Sequence, residues 1–401
     1  MSSAAQPALA GLPGEYADTL SAIRKRHAGL EQRHVPVKPF AVTTPDGRSH
    51  PVGTGFPVFT IKLANPTGLA ALASFDELII AEAFMEGHLD IEGEMLQSLR
   101  YRAMLSDPHP LRYLYATYLE PLLRGQVSSD KRWIKSHYDV DAEFFTLWLD
   151  KKIRGYSHAF FASDDEPLEA GMERKFRYAM RACNIRPGDR VLDIGGGWGS
   201  FLEYAGTQGV QVTSLTISAA SENFLNEIIE RKQLPCRAIR QHFLEYRSAE
   251  PYDAIVNLGV TEHLPDYRRT LENYVRLLKP GSRIYLDAYS GERHGMPSFI
   301  TKWIYEGNTS PLCIEKYTAE LAKTSLELIE IQNDRRNYFL TCKKWAENLE
   351  AVRDIVVARW GLHLYQRFRL YLWAAANSFD LGTLCAHHLI LELPKSGGLP
   401  R

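Results

Sequence analysis

The sequence predicts an α/β protein built on a doubly wound, mostly parallel sheet, preceded by a small α+β module. Three observations carry this expectation. Between about residues 190 and 286, short apolar runs alternate with helical stretches at the spacing of strand–helix units. A cluster of glycines directly follows the first of these runs. The first hundred or so residues are patterned differently, with short strand-like runs followed by apolar residues at helical spacing.

Residues 1 to about 35 read as a loosely ordered lead-in and a short charged helix. Ala41-Val42-Thr43 and Val58-Phe59-Thr60-Ile61 read as strands, separated by the turn Pro45-Asp46-Gly47 and by Gly53 and Gly55. From Phe75 to Leu99, the apolar residues Leu78, Ile79, Phe84, Met85, Met95, Leu96 and Leu99 predict two helices, the first ended by Gly87. Pro108 and Pro110 mark a break before a helical stretch from Leu111 to Arg124. The polar segment Gln126 to Asp130 reads as a linker, dividing the chain into residues 1–130 and 131–401. Beyond it, strands are expected at 190–194, 210–215, 252–258 and 283–286. Helices are expected from about Gly199, at 219–232 and at 267–278. Ligands in such sheets bind at the carboxyl ends of the strands.

Composition narrows the function. The chain has 401 residues, 45% hydrophobic and 24% charged, the balance of a protein with a sizeable core. A formal net charge of -1 supplies no global field toward nucleic acid or membrane, so lipid contact must come from a local patch. The five cysteines contain no C-x-x-C pair, so neither a metal site nor a disulfide framework is expected. A reducing cytoplasm fits this usage. Met1 to Leu12 lacks the basic start and apolar core of a signal peptide, and charges such as Asp76 and Glu77 interrupt the apolar stretches. The expected location is therefore the cytoplasm, with peripheral membrane contact left open.

The strongest local signal is Asp193-Ile194-Gly195-Gly196-Gly197-Trp198-Gly199 after a strand. Glycine lets the backbone turn tightly and approach a ligand closely. A dinucleotide fold needs G-x-G-x-x-G and an acid about twenty residues on. Here Ser200 breaks the first pattern, and Ser214 to Ser218 contains no carboxylate. Glycines at alternate positions with an acid two residues before them are the pattern of class I methyltransferases. Asp193 then suits the ammonium of S-adenosylmethionine.

Several blocks read together resemble the cyclopropane fatty acid synthase family, which includes the mycolic acid cyclopropane synthases. These are His137-Tyr138-Asp139 with Phe144-Phe145 and Leu147 to Asp150, then Tyr156 to Phe161, Asp193 to Gly199, and Leu215 to Ser218. Gly259 to His263, Asn337-Tyr338 and Thr341 to Trp345 complete the series, and Ile80 to Ile91 looks like part of the family's lipid-binding N-terminal domain. The resemblance implies a Rossmann-like class I methyltransferase fold. It also implies cofactor contacts from Tyr156, Ser157, Gly195, Gly197, Gly199, Thr216 and Ser218. Ser221 stands where the family has a ribose-binding glutamine, and Glu245-Tyr246 lies near the adenine segment. Glu262 and Tyr338 match residues that hold bicarbonate beside the reacting carbon. His158, Asp287 and Asn337 depart from the family's cysteine and two histidines, and Ala375 from a C-terminal cysteine.

The implied chemistry is methyl transfer to an alkene, which leaves a carbocation that aromatic rings can stabilise. Ring material is abundant: Tyr138, Phe144, Phe145, Trp148, Phe160, Phe161, Trp303, Tyr305, Tyr338, Tyr365, Phe368, Tyr371 and Trp373. Asp287 beside Glu262 and a bound anion would crowd like charges. The expectation is that bicarbonate is not needed, and that a carboxylate is the base or His158 balances the charge. His263 is expected to orient Glu262 or a backbone carbonyl. Arg112, Arg124, Lys131, Arg132 and Lys135 read as a solvated charge run, or as a headgroup site. The leading function is C-alkylation of an unsaturated acyl chain or lipid-like acceptor, with a homodimer left open. N-methylation of a small amine and non-catalytic lipid binding are the alternatives.

Overall fold

In the computed structural model, residues 13–108, 142–291, 296–305 and 310–395 are described. The helix Leu111–Arg124, the linker near residue 130, Tyr138 and the five basic residues from Arg112 to Lys135 lie outside them. The chain divides into two units.

The first unit takes in residues 1–112, 297–303 and 349–377, so two segments far along the chain join the N-terminal module. A boundary drawn along the sequence at residue 130 assigns both to the other domain. Its sheet has the order β2-β1-β3-β4, from Phe40–Thr43 (β1), Ser49–Val52 (β2), Phe59–Leu63 (β3) and Leu89–Gly93 (β4). The helix Glu77–Met85 starts at Asp76, whose carboxylate accepts from the Leu78 and Ile79 amides at 2.9 and 3.1 Å. β4 was not expected, because its period-2 run Leu89-Asp90-Ile91-Glu92 lies inside a helically spaced stretch; only Met95–Leu99 of the predicted second helix forms. Within this unit Arg369 is buried and binds Asp90 at 3.1 Å, Glu350 at 2.8 Å and the Ile91 carbonyl at 2.9 Å.

The second unit contains a seven-stranded sheet. β5 (Arg190–Ile194) pairs in parallel with β6 (Gln211–Thr216) and β8 (Tyr252–Leu258). β6 continues to β7 (Arg237–Arg240), and β8 to β9 (Leu278–Ser290), also in parallel. β11 (Cys385–Glu392) and β10 (Glu327–Asn333) then close the far edge antiparallel. This is the expected mostly parallel, doubly wound sheet. Its central strands β5, β8 and β9 are buried on both faces, so Leu192, Ile194, Ile255, Ile284 and Leu286 all lie in one core. The helices Ser200–Gly206, Ala219–Lys232 and Tyr267–Leu277 follow their strands as the sequence predicts. Among the described residues no helix is long and apolar enough to cross a membrane.

Candidate active site

The carboxyl end of β5 carries the glycine loop. Gly195 and Gly196 each donate an amide to the Leu215 carbonyl of β6, at 2.9 Å. Gly195 has φ +80°, and a Cβ there would lie 2.3 Å from the Val260 side chain. Gly199, at φ +77°, precedes the helix Ser200–Gly206. Gly197 differs: at φ +50°, a Cβ would meet nothing closer than the Gly195 carbonyl at 3.8 Å. Its Cβ side is open, which leaves room for a ligand. The Ser221 hydroxyl donates to the Gly197 carbonyl at 2.7 Å, so Ser221 fastens the loop from the helix behind it. Ser218 caps that helix by accepting the Ser221 amide, and Thr216 Oγ1 accepts the Ser218 amide.

Asp193 is buried in β5 and accepts a hydrogen bond from Ser214 Oγ at 2.5 Å. Burial pushes its carboxyl up to about 6, against the opposing Ser214 bond. It still ionises at neutral pH, so it suits a cationic amino group. Glu245 is exposed in the turn Phe243–Glu245, while Tyr246 turns inward and shares a 2.6 Å hydrogen bond with Tyr252.

The segment Tyr156–His158 lies against the same end of the sheet: a Cβ on Gly259, just after β8, would touch Ser157 at 3.6 Å. Ser157 Oγ accepts from Lys175 Nζ at 2.5 Å, and the same ammonium reaches Asp287 Oδ2 at 3.2 Å. Tyr285 donates to that oxygen at 3.3 Å. Lys175 is fully buried on the apolar face of the helix Leu168–Ala182, with Leu168, Met172, Phe176 and Ala179. Burial lowers its pKa, and Asp287 draws it back up. Sequence reasoning set Asp287 against Glu262 as an unbalanced second carboxylate. Lys175 corrects this, because a buried ammonium balances the Asp287 charge in place. Lys175→Met is expected to destabilise the fold by about 3–5 kcal/mol, as a buried carboxylate loses its partner. Lys175→Met with Asp287→Leu should recover most of the loss. Urea denaturation of the three proteins checks both statements.

Glu262 sits in the turn Thr261–His263 after β8, 2% exposed. Its Oε1 accepts the Tyr289 amide at 2.8 Å, while Oε2 has no hydrogen-bond partner among the described residues. Burial pushes the carboxyl up to about 8, opposed by backbone hydrogen bonds and aided by Asp287. Tyr338 is half-buried nearby; desolvation first, then the Glu262 charge, raises its hydroxyl well above the usual value. Its ring lies 5.0 Å from the His158 ring and stacks on Phe379 at 4.4 Å. The His263 ring lies 5.7 Å from that of Tyr305. The structure therefore gathers Glu262, Tyr338, His158 and Asp287 at one end of the sheet. Tyr156 joins an aromatic cluster with Phe145, Trp148 and Trp345, at centroid distances of 5.4 to 5.7 Å. Trp303, Tyr365, Phe368, Tyr371 and Trp373 belong to the first unit.

Residues 126–389 match the family model described as mycolic acid cyclopropane synthetase. The chain belongs to that family. As a member of it, the protein is an S-adenosylmethionine-dependent methyltransferase, in keeping with the glycine loop and Asp193. Residues 32–107 match a second model, a domain of unknown function. Among family relatives, a probable fatty acid methyltransferase of Mycobacterium tuberculosis is 27% identical over 394 residues, covering 88% of this chain and 90% of its own. A probable fatty acid methyltransferase of Pseudomonas putida is 25% identical, covering 92% and 95%. The solved cyclopropane synthase MmaA2 of Mycobacterium tuberculosis is 28% identical, with a TM-score of 0.61, covering 65% of this chain and 97% of that one. Coclaurine N-methyltransferase, 15% identical with a TM-score of 0.60 over 74% and 94%, shares the fold alone.

Within this family site, sequence reasoning missed Lys175, Asp334 and His388. Asp334 accepts from His158 Nε2 at 3.2 Å and from His388 Nδ1 at 2.5 Å. The signal for Lys175 was a lysine on an apolar helix face; for His388 it was a histidine pair inside the run Ala386 to Leu391.

Proposed function

We propose that the protein alkylates carbon in an unsaturated fatty acyl or lipid-like acceptor, leaving a methyl branch or a cyclopropane. The observation that carries this reading is Glu262: a buried carboxyl with one oxygen unpartnered among the described residues, close to Tyr338, whose ring lies against those of His158 and Phe379. Such a pocket suits a reaction that makes a cation and then removes a proton. The relatives named fatty acid methyltransferase and cyclopropane synthase point to the same acceptor class.

Gly195, Gly197, Gly199, Thr216, Ser218, Tyr156 and Ser157 shape the cofactor site in this reading, and Asp193 pairs the cofactor's ammonium. Ser221 acts by holding the loop. The bound cofactor supplies a methyl group on a sulfonium, a good leaving group. The protein holds the alkene in line and keeps water away. The electron-rich faces of the rings stabilise the acceptor cation. Ionised Glu262, or His158, takes the proton. The Lys175 ammonium is engaged by Ser157 and Asp287, and the charge that Glu262 feels is that of Asp287, which repels an anion. These residues do not fit a bicarbonate ion, and no step is assigned to one.

Mass spectrometry of lipids from cells expressing the protein tests the proposal. The expected product is an acyl chain heavier by one CH2. A lipidome unchanged relative to an empty-vector control would overturn it, and a methylated amine would favour the N-methyl alternative. Purified protein is expected to turn over equally in bicarbonate-depleted and bicarbonate-supplemented buffer. A clear rise on adding bicarbonate would reject the protein-base scheme.

A further inference from the structure

His158 is fully buried, and its Nδ1 has no hydrogen-bond partner among the described residues. Its other nitrogen, Nε2, lies 3.2 Å from Asp334 Oδ2. The same oxygen lies 2.5 Å from His388 Nδ1. His388 Nε2 in turn lies 3.4 Å from Glu330 Oε1 and 3.3 Å from the Tyr178 hydroxyl, which itself donates to Glu330 at 2.5 Å. The series starts at a side chain with no exposure and ends at one that is 46% exposed. Strand pairing fixes its outer half: His388 stands opposite Gln332 in the β10–β11 pair, which puts Glu330 on the same face two residues away.

We propose that His158, Asp334, His388 and Glu330 form a proton exit from the buried reaction site to the sheet edge. The inference rests on the carbon-alkylation reading above. In that reaction a C–H bond breaks, on the transferred methyl when a ring closes or on a chain carbon next to the cation when an alkene forms. Its electron pair closes the ring or forms an alkene, and the proton must leave a site closed to water. One proton enters at His158 Nδ1, directly or from Glu262, and one leaves from His388 Nε2 to the Glu330 carboxylate. Asp334 thus keeps one imidazolium partner before and after, and no net charge accumulates in the interior.

The surroundings suit this role. Two hydrogen-bonded histidines hold the Asp334 carboxyl well below the usual range despite its burial. Burial pulls His388 down, but Asp334 and then Glu330 outweigh it and raise its pKa. His158 is flanked by Tyr338 and Phe160, and Asp287 stands opposite His388 in the β9–β11 pair with Lys175 bound to it. The rings of Tyr178, Tyr285 and Phe160 also face His388, while the neighbouring His387 points to the other side of β11 and bonds Ser290. Asp334, His388 and Glu330 are positioning residues, since they act on the reaction through His158.

The test uses the full-length protein saturated with S-adenosylhomocysteine and labelled with 15N-histidine. His388 is expected to titrate above the ordinary histidine value, and Asp334→Asn to lower its midpoint by about one unit. Glu330→Gln, an exposed and conservative change, should lower it too and should shift the His158 signals with the same midpoint. Unchanged midpoints in both variants would overturn the relay. Turnover on vesicles of dioleoyl phosphatidylglycerol gives a second reading. Both variants should keep the first-turnover rate of S-adenosylhomocysteine formation but lower kcat about tenfold and raise its solvent deuterium isotope effect. Unchanged kcat and isotope effect would count against the relay. If the wild-type protein does not act on these vesicles, the carbon-alkylation reading fails for this acceptor, and the histidine titrations alone decide the relay.

Discussion

Gly197→Val is expected to abolish S-adenosylmethionine binding. The φ of +50° already disfavours a β-branched residue, but the decisive point is where the new atoms would go. At Gly195 a Cβ would strike Val260, and at Gly199 it would strike Ile228 at 2.9 Å, so both substitutions damage the protein itself. At Gly197 the atom nearest to a Cβ is 3.8 Å away, so the new side chain enters open space beside the loop, where the ligand is expected. Calorimetry should show no heat of binding for S-adenosylmethionine or S-adenosylhomocysteine, with a melting temperature lowered only by the local strain. Gly197→Ala should bind more weakly than wild type and melt close to it. Wild-type affinity in the valine variant would remove Gly197 from the cofactor site.

Glu262→Gln is expected to lower turnover by roughly 10²- to 10⁴-fold, the usual span for a lost general base. The pH dependence is the sharper signature. Burial holds the Glu262 carboxyl near 8, so it is mostly neutral at pH 7 and must ionise to accept a proton. For the wild-type enzyme, kcat/KM should climb about tenfold between pH 7 and pH 9 as the ionised fraction grows. The bound sulfonium brings a positive charge, which favours the ionised carboxylate and should move the corresponding limb of kcat to lower pH. The glutamine variant should show neither limb. A wild-type rate that falls through pH 8 would identify the neutral carboxyl, acting as a hydrogen-bond donor, as the working form.

What could be read from the sequence follows from where each segment sits. β5 and β8 are buried on both faces, so their residues form apolar runs that stand out locally. The glycine loop is likewise a local signal, because backbone conformation at Gly195, Gly197 and Gly199 demands the residue type in place. β10 is an edge strand with all seven residues exposed, so no core constrains its pattern and it passes unnoticed. Its partner β11 hides a polar residue, His388, inside an apolar run. Of the site, Glu262 and Tyr338 lie within recognisable blocks. The contacts that set their surroundings do not, because each joins distant residues. Lys175 and Asp287 are 112 residues apart, His158 and Asp334 are 176 apart, and Asp334 and His388 are 54 apart. No local period encodes such pairs.

The divided first unit has a consequence for how the chain is made. Asp90 and the Ile91 carbonyl lie on β4, an edge strand, and wait for Arg369 to bind them. A ribosome adding about 5–20 residues per second needs on the order of 10–50 s to travel from residue 108 to residue 349. Throughout that interval the emerging N-terminal sheet displays an uncapped edge. Such an edge is a template for pairing with another chain, and therefore a natural target for a holding chaperone. The sheet of the N-terminal module is thus made long before residues 349–377, the segment that completes its unit.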